Sequence, residues 1–293
     1  MEADRKNFVP GLERGLRVLE LLPQFRGGLT LSQLTRHLQL PKSSVHSLLR
    51  TLQDSGYVYR DPGSGKYRVS LRVCALAHMA LSGIGLREQA KPQLRHLADS
   101  TGMTAHLAVM EQGSCILIEK VVPAEAIRVA TWIGKHFSLH CTALGKALAA
   151  YLPEEELDRL IREQGLLRHN DNTICSPRRL KQELALVRQR GYALDDEEEE
   201  INVRCIGAPV FDAEGRAIAA ISIVGTTIQV HEGNLPRLAH EVIAAAAHIA
   251  ERVKGATEET QTTGLAWHAG LPALFTYDRR CPQPLFPVSG PLH

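Results

Sequence analysis

Between Leu12 and Val69, three short stretches of helical periodicity precede two β-prone runs that flank a turn-rich loop, and this order constrains the fold more than any other feature. Leu12, Leu16, Leu19 and Leu22 recur at helical spacing until Pro23 and Gly27-Gly28 stop the run. Thr30 followed by Gln33 has the form of a capping box, and Leu31, Leu34 and Leu38 give the second, short helix its apolar stripe. Pro41 suits the first turn of a third helix, where a missing N–H costs nothing. Helices two and three are therefore joined by a tight turn.

On a wheel of about 100° per residue, Val45, Leu48, Leu49 and Leu52 of the third helix share one sector, while Ser43, His46, Ser47, Arg50 and Asp54 lie opposite. One side is core and the other is free to read. Arg suits bidentate contact with guanine, and Ser reaches phosphates or base edges. Tyr57 to Arg60 and Lys66 to Val69 then form a hairpin around Asp61-Pro62-Gly63-Ser64-Gly65, with basic residues beside its tip. Three helices and a basic hairpin describe a winged helix-turn-helix. The expected DNA contacts are Thr30, Lys42, Ser43, Ser44, His46, Ser47 and Arg50, with Arg60, Lys66 and Arg68 of the wing. Charge is divided in the same sense: up to Ser70 there are eleven basic and six acidic residues, a balance of +5 against +2 for the whole chain.

At 293 residues the chain exceeds one ordinary domain. The expected division is a flexible arm at 1–7, the winged helix-turn-helix at 8–70, a linker helix at 71–83, a larger domain at 84–254, and a Thr-, Gly- and Pro-rich disordered tail at 255–293. In the larger domain the pattern gives strands at 104–110, 115–121, 127–131, 208–211 and 217–224. Helices are expected at 84–100, 142–151, 154–164, 177–189 and 235–254. The class is α+β or α/β. No apolar run reaches eighteen residues and the first residues lack the stretch a secretory signal needs, so a cytoplasmic location and no membrane partner are expected. The six cysteines show no metal-ligand spacing, and neither metal nor cofactor is expected. A reader of this size buries little DNA, so a homodimer or a dimer of dimers is expected.

Thr142 is a plausible N-cap, which would leave the amides of Ala143, Leu144 and Gly145 at a helix N-terminus suited to an anion such as a small carboxylate. On the strand 217–224, Ser222 is the one hydroxyl on the face shared by Ile218, Ala220 and Val224.

The segments GLERGLRVLELL (11–22), LTLSQLTRHLQLPKSSVHSLLRTLQDSGYV (29–58), LHCTALGKALAA (139–150) and GYALDDEEEEINVRCIGAPVFDAEGRAIAAISIVG (191–225) resemble the IclR-type bacterial transcription regulators. The resemblance covers roughly residues 8 to 253. It implies a winged helix-turn-helix joined by the linker helix to a GAF-like effector-binding domain. It also implies regulation of nearby genes, with operator affinity controlled by a small organic acid. Effector contacts implied at Ala143, Leu144, Asp195, Cys205 and Ser222 are extended to Ile127 and Gly145. A second serine often found two residues after the first is Val224 here, which points from a very polar acid toward a more apolar, aromatic one.

The rival readings are an enzyme and a ligand-binding protein whose N-terminal domain serves protein interaction. His140-Cys141 suggests a thiol nucleophile, but no orienting partner is identifiable. Gly145-Lys146 resembles the end of a phosphate-binding loop, yet His140 and Ala147 occupy positions where Gly and Ser or Thr are needed. The expectation is therefore that the chain is not an enzyme.

Overall fold

Thr30 Oγ1 accepts from the Gln33 amide at 3.3 Å while Gln33 Oε1 accepts from the Thr30 amide at 2.9 Å, so both halves of the capping box form and α2 (Leu31–Leu38) begins where the sequence places it. In this computed structural model residues 9–82, 85–124 and 129–262 are described. The arm 1–7, Ile127 and most of the expected tail, from residue 263 on, lie outside them. Two units are distinguished, Met1–Pro92 and Gln93–His293.

The first unit contains α1 (Pro10–Leu21), α2, α3 (Lys42–Asp54), the hairpin β1 (Val58–Arg60) and β2 (Tyr67–Val69), and α4 (Arg72–Ser82). Pro41 caps α3 rather than entering it, and its carbonyl accepts from Val45 N–H at 3.1 Å. Val45 and Leu49 are fully buried beside Val18, Leu22, Leu34 and Leu38, with Leu48 and Leu52 packed against them. Leu29 forms a single antiparallel bridge with Tyr67 of the hairpin. The expected leucine stripe divides: Leu22, in a short 3-10 turn just past α1, is core, whereas Leu12 and Leu16 of α1 are exposed, as are Leu76 and Met79 of α4.

The second unit is built on a six-stranded antiparallel sheet in the order β5-β4-β3-β8-β7-β6. Its strands are β3 (Thr104–Glu111), β4 (Ser114–Val121), β5 (His136–Phe137), β6 (Ala193–Asp196), β7 (Val203–Phe211) and β8 (Ala217–Thr226). Helix α5 (Gly85–Thr101) crosses the boundary between the units at Pro92. Helix α6 (Ala143–Ala149) lies buried on β6, β7 and β8, and α9 (Leu235–Thr262) packs on β7 and β8. Leu144 and Leu148 join Leu180, Leu184 and Val187 of α8 (Pro177–Arg190) and Leu157 and Leu160 of α7 (Glu154–Gln164) in one core. The class is thus α+β.

Three expectations are corrected. Residues 129–131 form no strand; Lys120 Nζ satisfies the carbonyls of Val129 (3.1 Å) and Thr131 (2.9 Å) in place of ladder bonds. Strand β7 starts at Val203 because β6 pairs with it from Asp196↔Arg204 onward. Helix α9 runs on to Thr262, past the end expected at residue 254. Among the described residues no helix is long and apolar enough to cross a membrane.

Candidate functional site

Two sites emerge, one in each unit. On the first, α3 turns Lys42, Ser43, His46, Ser47 and Arg50 outward, all exposed, with Ser44 half-buried at the margin. Arg50 pairs only loosely with Asp54, at 4.0 Å with both side chains about three-quarters exposed, so it is free to exchange that partner. An open cleft lined by Thr30, Ser32, Lys42, His46, Arg60, Ser64 and Tyr67 brings the starts of α2 and α3 beside the wing tip. The tip is shaped by Asp61, which accepts from the Ser64 amide (2.7 Å) and hydroxyl (2.6 Å) and whose carboxyl is held below its ordinary value by those bonds. Arg60 donates to Gly65 O at 3.1 Å and lies over the Tyr67 ring.

The second site is a cavity of about 40 Å³, room for a few waters, lined from four directions. Antiparallel register sets Asp195 opposite Cys205 and Cys205 opposite Val224, while Ser222 stands between Gly207 and His106, so these residues lie in two adjacent rows across the sheet. Thr142, Ala143 and Leu144 form the roof. They approach closely because position 207 is Gly: a Cβ there would lie 2.8 Å from the Ala143 carbonyl oxygen. His106 bonds Thr131 Oγ1 at 2.9 Å and so holds one side of the strap 129–137. Lys135 on that strap lies 4.8 Å from the Phe137 ring centre and 3.7 Å from Glu199. Glu199 and Glu200, from the acidic loop 197–202, complete the lining.

Burial shapes the chemistry of this cavity. It drives the His106 pKa down to about 3, helped by Lys120 and Lys135, so the imidazole is neutral. Asp195 is pushed up to about 7, also by burial, against the opposing effects of the Glu198 amide bond and Lys146. Burial raises the Cys205 thiol too, which is in hydrogen-bonding reach of Asp195. Near neutrality the cavity therefore offers an acid proton, a hydroxyl and a neutral imidazole among Ala143, Leu144, Phe137, Val203 and Val224.

The acidic loop is anchored from below. Lys146 of α6 is fully buried and donates to Leu194 O and Glu198 Oε1, with Glu183 at 4.0 Å. Asp195 Oδ1 accepts the Glu198 amide at 2.9 Å, and Thr173 Oγ1 donates to Glu198 O at 2.7 Å.

The family models described as the IclR helix-turn-helix domain and the bacterial transcriptional regulator IclR C-terminal domain match residues 11–62 and 78–251. The chain belongs to the IclR family. It is 36% identical over 228 residues to the HTH-type transcriptional regulator XynR of Escherichia coli (strain K12), covering 78% of this chain and 90% of that one. The crystal structure of Thermotoga maritima IclR superposes with a TM-score of 0.70 at 27% identity, over 83% of this chain and 98% of that one. An IclR homologue from Microbacterium hydrocarbonoxydans, solved with 4-hydroxybenzoate, gives 0.72 at 25% identity over 83% and 98%. This IclR-family chain is a DNA-binding transcriptional regulator, and the enzyme alternative falls.

Within this IclR-type frame the expected residues differ in what they touch. The Thr30 hydroxyl caps α2, and Arg68 lies half-buried with Nη2 donating to Gly27 O at 3.4 Å. Gly145 is not in the cavity lining: its amide donates to the Thr142 cap at 3.0 Å, and a Cβ would lie 2.2 Å from Ser138 O. Ala143, Leu144, Asp195, Cys205 and Ser222 are brought together; Ile127 lies outside the described residues. Sequence reasoning missed His106, Thr131, Lys135, Glu199 and Glu200. His106 carried a legible signal, lying on an expected strand beside buried apolar neighbours, while the loop residues carried none.

Proposed function

We propose that this IclR-family regulator binds its operator as a homodimer, or a dimer of dimers, and that a small organic acid in the Asp195–Ser222 cavity sets its DNA affinity. One observation carries the effector reading: a buried, mainly apolar chamber holds Asp195, Ser222 and His106 in adjacent rows. The relative solved with 4-hydroxybenzoate supports an acid of that kind, and Val224 beside Ser222 favours a ring over a very polar acid. A ring needs more than about 40 Å³, so the strap or the acidic loop would move to admit it. Dimerisation is favoured by the exposed leucines of α1 and by Leu76 and Met79 on α4, an apolar surface with a two-fold partner as its natural cover. The regulator acts where the DNA is, in the cytoplasm.

The test is anisotropy on the protein's own upstream DNA, repeated across a panel of small carboxylic acids. One acid should change operator affinity by about 1 to 3 kcal/mol, and the operator should change that acid's affinity by the same factor. Equal affinity for every acid with and without operator would end the allosteric reading. In the reader, Arg50→Ala should cost about 1 to 3 kcal/mol on the operator and relax specificity at one position, if α3 lies in the major groove. Lys66→Ala should weaken all sequences alike and lower the salt slope by about one unit, as a phosphate contact does.

A further inference from the structure

Two histidines and a cysteine that are not part of the cavity lining meet near the start of α6. His140 and Cys141 precede the helix, and His169 comes from the loop between α7 and α8. One potential ligand atom from each lies within 4.8 Å of the others. The imidazoles of His140 and His169 face each other at 6.3 Å between centres, 26° from parallel. We infer that His140, Cys141 and His169 form a transition-metal site, suited to Zn²⁺ and open at its fourth position.

Several features fit such an ion. Two imidazoles and a thiolate are the donor set of zinc, cobalt and copper rather than of calcium or magnesium. His140 Nε2 is 3.0 Å from the Leu167 carbonyl, an acceptor only, so that nitrogen carries the proton and Nδ1 keeps its lone pair. A ring N–H held by a backbone carbonyl is the usual outer support of a metal-binding histidine. Metal–nitrogen and metal–sulfur lengths of about 2.0 and 2.3 Å require ligands about 3.3 to 3.8 Å apart. The cluster must contract by about 1 Å, and the exposed His169 on its loop is placed to supply that movement.

The thiol is the atom that changes. On binding, the metal–sulfur bond forms, the S–H bond breaks and the proton leaves to solvent. A bound ion would join the 165–172 loop to the residue just before the Thr142 cap, and so to the roof of the effector cavity.

The experiment uses the full chain, stripped with chelator and titrated with Co²⁺ and Zn²⁺. Wild type should take up one Co²⁺ per chain with a near-ultraviolet thiolate-to-cobalt band, and Zn²⁺ should displace it. Cys141→Ser should lose the band, while Cys74→Ser and Cys175→Ser should keep it. His169→Ala, at an exposed position, should leave the metal-free melting curve unchanged, weaken Zn²⁺ at least about tenfold and remove the rise in Tm that Zn²⁺ gives wild type. A wild-type chain without the thiolate band, or a band that survives in both Cys141→Ser and His169→Ala, overturns the assignment. Effector and operator binding play no part in this readout, so its failure is separate from theirs.

Discussion

Replacing Lys146 by Ala should destabilise the C-terminal unit by about 3 to 5 kcal/mol, the cost of leaving a buried charge without its partner. Lys146 has no exposed surface, and its ammonium is held by the Glu198 carboxylate and the Leu194 carbonyl. Glu198 Oε2 has no partner even with the lysine present, so removal of Nζ would leave a second oxygen stranded. The loss should appear as a lower thermal midpoint and weaker protection of amides in the 197–202 loop from hydrogen exchange. Lys146→Met combined with Glu198→Gln should recover most of the stability, because neither charge is then buried. If Lys146→Ala melts with wild type, the ion pair is not what holds the loop.

Effector affinity should fall about tenfold for each pH unit above roughly 7, and Asp195→Asn should flatten that dependence. The sign follows from the raised pKa of about 7. Below it the carboxyl is protonated and can donate to an incoming carboxylate; above it two negative charges would share a low-dielectric chamber. Affinity is therefore full on the acid side and is lost as pH rises through the pKa. Calorimetry in buffers of different ionisation enthalpy should record proton uptake on binding above pH 7, absent in Asp195→Asn. A flat profile for wild type would remove Asp195 from the acid's contacts.

The reader was the more legible site, because its signals are local. Wheel position alone separates Val45 and Leu49 from His46 and Arg50, and a three-residue spacing gives the Thr30 cap. The candidate effector cavity is non-local: Asp195, Cys205, Val224, His106 and Ser222 become neighbours only through strand pairing that no single window contains. Family likeness located five of its residues but not the strap or Glu199. The run 195–200 shows why composition misleads. Six consecutive acids suggest a solvated loop, yet Asp195 and Glu198 are buried because a lysine on α6 reaches beneath them. Likewise, spacing along the chain gave no hint that His169 would approach His140 and Cys141, since loop closure brings them together.

The absence of a side chain at Gly207 lets the first residue of α6 rest directly on main chain. At that seam the chamber is as fixed as the sheet itself, because any side chain at position 207 would prise helix from strand. Retailoring this scaffold for a different acid would therefore leave that seam intact and act around it, on the side chain at Val224, on the strap tied by one lysine and on the loop tied by another.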